Sequence, residues 1–182
     1  MRRCCRMPFL LFGIALAAQA QDGGFRWVGL QVGTLSGDTQ QGLNATVGYG
    51  GQFGLVLDSG RYGFSLEMEQ AKPKSTWAPG VTGKHGEASA TFLSGLSGEA
   101  GSRWWPYAGL GLGALTLPEW SAPTLSYTTR TAAALHASVG LLHRSEGFLF
   151  WGAEGRYVVG LTKKDYSETR LTFSAGITWG GT

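Results

Sequence analysis

The sequence predicts an all-β protein built as one eight-stranded, antiparallel, up-and-down transmembrane β-barrel. Three observations predict it. Side-chain character alternates with a period of two in eight successive segments, the connections between segments alternate between short and long, and all five lysines fall in or beside the connections. Thirty glycines among 182 residues, spread along the chain without a collagen period, argue further against a helical protein.

The first element is a leader. Arg2, Arg3 and Arg6 precede an apolar run from Met7 to Ala18, and Ala18-Gln19-Ala20 has the small-x-small pattern of a cleavage site. Residues 1–20 are therefore expected to be a secretory signal peptide cleaved near Ala20, leaving 21–182 as the barrel. Cys4 and Cys5 are the only cysteines and both lie in the leader, so the rest of the chain offers no disulfide, thiol nucleophile or Cys-based metal site. The formal charge of +3 comes from 15 basic and 12 acidic side chains, and three of the basic ones are the leader arginines. Beyond the leader the charges balance, which gives no reason to expect a nucleic-acid partner. No run of 18 apolar residues follows Ala20, so no transmembrane helix is expected.

The strands come next. From Leu43 to Asp58 one parity carries Leu43, Ala45, Val47, Tyr49, Gly51, Phe53, Leu55 and Leu57, while the other carries Asn44, Thr46, Gly48, Gly50, Gln52, Gly54, Val56 and Asp58. Only a strand with two chemically different faces calls for that pattern. Asp58-Ser59-Gly60 supplies tight-turn chemistry, and alternation resumes with Tyr62, Phe64, Leu66 and Met68 against Gly63, Ser65, Glu67 and Glu69. The same reading places strands at 25–35, 43–57, 61–71, 86–97, 103–117, 131–142, 148–162 and 168–179. Connections at 58–60, 98–102 and 143–147 are short, whereas 71–85 and 118–130 are long, with shorter loops near 36–42 and 163–167. An even strand count puts both termini at the short-turn end, which in an up-and-down barrel of the outer membrane faces the periplasm.

A secreted, soluble, lipocalin-like ligand-binding barrel would alternate too, with its apolar parity inward. Lys72, Lys74, Lys84, Lys163 and Lys164 avoid mid-strand positions, although a wet outer face would carry lysines. The non-apolar parity is rich in Gly, Ser and Thr, as in Gly109, Gly111 and Gly113, which suits the narrow interior of eight strands. Aromatic residues gather near strand ends: Phe25, Trp27, Trp104, Trp105, Phe148, Trp151 and Trp179 at one end, Tyr157 and Tyr166 at the other. They are read as two headgroup-level girdles. With the polar parity inward, Glu67, Glu69, Glu87, Glu154, Arg156 and Arg170 meet inside. Buried charge needs a partner, so an interior network that fills the lumen with polar side chains is expected, in preference to an ion path.

Three stretches carry a family resemblance. Trp105-Pro106-Tyr107-Ala108-Gly109-Leu110-Gly111-Leu112-Gly113 resembles the "PY-x-G-x-G-x-G" strand of the small outer-membrane β-barrel superfamily, which includes the OmpA/OmpX-like and opacity-type barrels. Phe150 to Tyr157 is similar to the alternating acidic, basic and aromatic strand near the end of those barrels. Leu171 to Trp179 resembles their closing strand, although Gly180-Gly181-Thr182 follow here where the family commonly ends on an aromatic residue. The resemblance spans the chain beyond the leader and implies an outer-membrane location. It also implies insertion by the barrel-assembly machinery, and outer-membrane lipid and lipopolysaccharide as surroundings, for a chain expected to be a monomer.

Chemistry is sparse. There is no Walker loop, dinucleotide fingerprint, H-E-x-x-H or G-x-S-x-G, and His85, His136 and His143 are too scattered for a metal site; no metal or cofactor is expected. One constellation supports an enzyme alternative. His136 and Ser138 lie two apart on one strand and Glu154 lies on the next, the residue types that acyl transfer requires. The arrangement is similar to that of outer-membrane lipid A deacylases, which are small barrels with a His-x-Ser on a strand, but Val139 stands where that family has Asn. Parity also turns His136 and Ser138 inward, away from acyl chains. The binding alternative rests on the loops, where Lys72, Lys74 and Trp77 in one and Trp120 and Tyr127 in another pair cations with aromatics. The expectation is a non-enzymatic envelope-structural or surface-interaction barrel.

Overall fold

A computed structural model describes residues 24–36, 42–57, 60–97, 102–161 and 166–180. The leader, its cleavage site, both cysteines, Lys163 and Lys164 lie outside the described residues. Eight strands follow one another: β1 (Arg26–Leu35), β2 (Thr46–Leu57), β3 (Tyr62–Ala71), β4 (His85–Gly95), β5 (Trp104–Ser121), β6 (Ser126–Arg144), β7 (Leu149–Gly160) and β8 (Ser167–Trp179). Each pairs antiparallel with the next, and β8 returns to β1, which closes the barrel. Every pairing keeps a single register from end to end, as between Trp104↔His143 and Ser121↔Ser126 on β5 and β6.

Three expected boundaries, the end of β5 and the starts of β6 and β2, move by three residues or more. The long loop at 118–130 is mostly strand: β5 and β6 continue past the barrel wall as a paired ribbon whose tip is only the turn at 122–125. Thr-rich, β-branched sequence from Thr128 to Thr131 extends easily, and the polar composition that suggested a loop reflects exposure, not irregular backbone. At β2 the strand begins at Thr46, and Leu43 is buried in the mouth beside the second loop, where it bridges to Ser75.

The outward parity is apolar on all eight strands, with Leu30 77%, Leu110 70% and Leu112 61% exposed. A soluble barrel would bury these side chains, so the lipocalin-like alternative fails on orientation. On β8 the outward row Leu171, Phe173, Ala175, Ile177 and Trp179 covers about 27 Å of strand. At a tilt of about 40° that is about 20 Å of height, close to the apolar band of a transmembrane barrel.

The girdle is smaller than the sequence suggests. Trp104, Phe148, Trp151 and Trp179 face outward at the termini end, and Tyr157 does so toward the loop end. Phe25, Trp27, Trp105 and Tyr166 are buried inside. Period two applies to strand ends as well, so aromatics one residue apart point to opposite faces.

These inward rings fit because glycine stands opposite them. Trp27 lies across the β1–β2 pair from Gly54, and Tyr107 across β5–β6 from Gly140; a Cβ on either glycine would fall within the ring. The lumen is layered. Phe25, Trp27, Val56, Leu93, Trp105, Tyr107, Leu142 and Phe150 form an apolar plug at the termini end. Leu115, Leu117, Ala132, Ala134, Val158 and Tyr166 form another toward the loop end. Charge occupies the space between, so the expected all-polar lumen is polar only in its middle.

Leu110→Arg is expected to cost about 2 to 4 kcal/mol in urea unfolding from lipid vesicles, whereas polar replacement of lumen-facing Thr172 is tolerated. Gly54→Val is expected to destabilise by about 1 to 3 kcal/mol, because the Trp27 ring must leave its place. Unchanged unfolding of Leu110→Arg would mean that strand is assigned inside out.

Candidate functional site

The alternation turns Ser65, Glu67 and Glu69 of β3, Glu87, Ser89 and Thr91 of β4, His136 and Ser138 of β6, Glu154 and Arg156 of β7, and Glu168 and Arg170 of β8 toward the axis. Register places like charges side by side: Glu69 is the direct partner of Glu87, and Arg156 of Arg170. Such neighbours repel within a sheet. Closure resolves this, because β3–β4 and β7–β8 stand on opposite sides of the barrel and the attraction runs across the lumen.

Each guanidinium gathers three carboxylates. Arg156 donates from Nε to Glu154 Oε1 at 2.9 Å, from Nη1 to Glu87 Oε1 at 3.3 Å, and from Nη2 to Glu67. Arg170 donates from Nε to Glu168 Oε1 at 2.6 Å and from Nη1 to Glu69 Oε2 at 3.4 Å, and it pairs with Glu87 Oε2. Glu87 is thus shared by both arginines, with its side chain 2% exposed. Hydroxyls complete the shell: Ser65 donates to Glu67 at 2.8 Å, Tyr107 to Glu154 at 2.9 Å and Tyr166 to Glu168 at 2.6 Å. His85 Nε2 lies 3.1 Å from Tyr166 Oη and 3.4 Å from Glu168 Oε2. In this low-dielectric space the pairs are short and mutually dependent.

All six charged residues expected from the sequence join this network. Glu168, His85, Tyr107 and Tyr166 join it too and were not anticipated. Glu168 was legible, since it stands two residues before Arg170 on the same parity. His85 and Tyr166 sit at strand ends, and each shares the inward parity of the carboxylate two residues on, Glu87 and Glu168.

The acyl-transfer residues share the lumen but not the bonds a triad needs. His136 Nε2 is bonded to Thr91 Oγ1 at 2.8 Å, and its Nδ1 lies 3.7 Å from Glu87 Oε1. Ser138 Oγ is buried without a hydrogen-bond partner, and Glu154 is held by Arg156 and Tyr107. The sheet itself separates Ser138 from the lipid-facing surface. Among the described residues no group of three or more His, Cys, Asp or Glu side chains is placed to hold a metal ion.

The loop end forms a second candidate surface. Trp77 packs edge-on against Trp120 with ring centroids 5.7 Å apart, and Trp120 against Tyr127 at 5.0 Å. Tyr127 Oη donates to the Gly42 carbonyl at 3.2 Å, and Thr76 N donates to the same carbonyl at 2.7 Å. Three connections are thereby bonded into one cap. Lys72 and Lys74 lie in the second loop, where Lys74 bridges to Thr82 through its backbone; the aromatic candidates meet in one cluster, and among the described residues no ring contact includes either lysine.

No protein family and no curated protein matches the chain in sequence. Solved structures do match. The N-terminal β-barrel domain of Pseudomonas aeruginosa OprF aligns with TM-score 0.59 and 15% identity over 87% of this chain and 98% of that one. Neisserial surface protein A aligns with TM-score 0.56 and 16% identity over 86% and 96%. Ail, the attachment invasion locus protein of Yersinia pestis, aligns with TM-score 0.55 and 14% identity over 87% and 100%. The chain has the fold of the small eight-stranded outer-membrane barrels. At these identities the likeness is one of architecture, and what the barrel does rests on its own residues.

Arg156→Met is expected to destabilise the barrel by about 3 to 5 kcal/mol, because it strands buried carboxylates. Replacing Glu67 by Leu in the same chain is expected to restore only part of the loss, since Glu87 and Glu154 stay behind; restoring most of it requires replacing Glu154 as well. Ser138→Ala is expected to leave urea unfolding unchanged or slightly improved, because it removes a hydroxyl that satisfies nothing. A large loss on Ser138→Ala would show that its hydroxyl is bonded.

Proposed function

We propose that the protein is a non-enzymatic barrel of the outer membrane, reached after removal of the leader, that acts as a closed envelope scaffold and presents its loop end as an interaction surface. The observation that carries this reading is the sealed lumen, in which a cross-braced layer of charge lies between two apolar plugs. Eight strands leave an interior that side chains fill, and here those side chains are tied to one another. The architecture shared with OprF, Neisserial surface protein A and Ail supports the location.

The loop end supports the interaction role. Among the described residues it carries Lys72, Lys74, Lys84 and Arg130 against Glu119, in the same second loop and ribbon that supply Trp77, Trp120 and Tyr127. Cations on the same end as an exposed Trp77 suit the phosphates of lipopolysaccharide. Ail has been captured with sucrose octasulfate, a heparin analogue, so one barrel of this architecture binds a polyanion. Assembly through the closing strand β8 by the barrel-assembly machinery completes the proposal, with the barrel working as a monomer.

Planar bilayers holding the purified barrel are expected to show no stable conductance, and lipid A from cells with and without the protein is expected to have the same mass. Reproducible current steps altered by Glu67→Gln would replace the scaffold with a pore. Loss of an acyl chain from lipid A that depends on Ser138 would replace it with an enzyme.

A further inference from the structure

The lipid-facing side of β7 is notched. Its outward row runs Trp151, Ala153, Gly155 and Tyr157, and register sets Leu141 and Phe173 on either side of Ala153, and Val139 and Leu171 on either side of Gly155. Val139, Leu171 and Phe173 stand exposed, whereas a Cβ added to Gly155 would meet nothing within 4 Å. The row is therefore a groove, about 14 Å long from Trp151 to Gly155 between strands about 10 Å apart, which suits one hydrocarbon chain. All the residues that border it lie in described strands.

At the termini end this groove meets polar atoms. His143 is the register partner of Trp104 on one side and of Trp151 on the other. The two indoles pack edge to face, 5.1 Å apart, around the imidazole between them, whose centroid lies 4.3 Å from one ring and 5.0 Å from the other. His143 Nδ1 is buried there without a hydrogen-bond partner, and among the described residues neither indole N–H finds an acceptor. A buried N–H without an acceptor is costly, which assigns the imidazole proton to Nε2. Donors without acceptors thus stand at headgroup level where an apolar groove begins. Another small pair on the lipid-facing side, Ala88 and Ala90 of β4, leads instead to Phe92 packed on Phe64, which offer no donor.

We propose that this face binds one diacyl phospholipid of the periplasmic leaflet, its phosphodiester oxygens accepting hydrogen bonds from His143 and Trp151 and one acyl chain lying in the β7 groove. Membrane covers the face in any case; the donors add a preference for a phosphate, which offers acceptors only. A second copy of this chain meeting the same face would set donors against donors. The inference rests on the transmembrane reading, which flotation of the folded barrel with lipid vesicles tests separately.

The test adds dioleoylphosphatidylglycerol to the folded barrel in a polyoxyethylene detergent and counts bound lipid by native mass spectrometry. One saturable lipid per barrel is expected. Its apparent affinity is expected to fall about tenfold or more when His143→Leu and Trp151→Leu are combined, and likewise in Gly155→Leu, which fills the groove. Ala90→Leu, on the groove without donors, is expected to change it by less than about twofold. Dioleoylglycerol, which keeps both chains and lacks the phosphate, is expected to bind about tenfold or more weakly than the phospholipid. Heat-modifiable gel mobility identifies the folded variants, and if one does not fold, the diacylglycerol comparison on the unaltered barrel decides. No stoichiometric lipid, equal binding of dioleoylglycerol, unchanged affinity of the folded variants, or an equal fall in Ala90→Leu would overturn the proposal. So would tighter binding of lipid A that the same variants lose, or a concentration-dependent dimer that Gly155→Leu abolishes.

Discussion

The structure depends on charge pairing across the lumen. Across the strand pairs like charges are set side by side, Glu69 next to Glu87 and Arg156 next to Arg170, and only Glu154 and Glu168 reach an arginine along their own strands. Such a sheet laid flat would be electrostatically frustrated. Curling it into a closed barrel brings the carboxylate side to the guanidinium side, and Glu87 is held by both arginines at once. Closure therefore supplies the partners of Glu67, Glu69 and Glu87, and a partly closed intermediate would leave those charges unpaired in a poorly solvated space.

The rest of the lumen is sized around that layer. Glycines opposite Trp27 and Tyr107 let large rings lie flat against the wall, and the rings close the termini end without widening the barrel. The second plug closes the loop end with smaller side chains, among them Ala132 and Ala134. Between them, two guanidiniums face Glu67, Glu69, Glu87, Glu154 and Glu168, so carboxyl groups outnumber guanidiniums in this layer. Two guanidiniums reach five carboxyl groups only through sharing, and hydroxyls from Ser65, Tyr107 and Tyr166 donate to Glu67, Glu154 and Glu168 as well.

The overall charge balance conceals a separation. Among the described residues, carboxyl groups outnumber guanidiniums inside, whereas the loop end carries Lys72, Lys74, Lys84 and Arg130 against Glu119. The termini end is arginine-rich, with Arg103 paired to Glu146 and Arg144 stacked over the Phe25 ring at 4.4 Å. The loop end is capped by the Trp77, Trp120 and Tyr127 cluster, and an apolar plug lies between that cap and the interior charge layer.

Period-two alternation made the strands, their number, the lipid-facing parity and six members of the interior network legible, because a strand imposes one bit of information per residue and this chain writes it plainly. The same rule, applied through the strand ends, would have turned Phe25, Trp27 and Trp105 inward, and it would have added Glu168 to Arg170. Other features were not legible. That His136 bonds to Thr91 and not to Ser138, that Glu87 bridges two arginines, and that β5 and β6 outgrow their neighbours all depend on which strands meet and in what register. Sequence by itself determined which side of each strand is polar; only closure of the sheet decided which polar groups find one another, because those distances cross the lumen and no spacing along the chain encodes them.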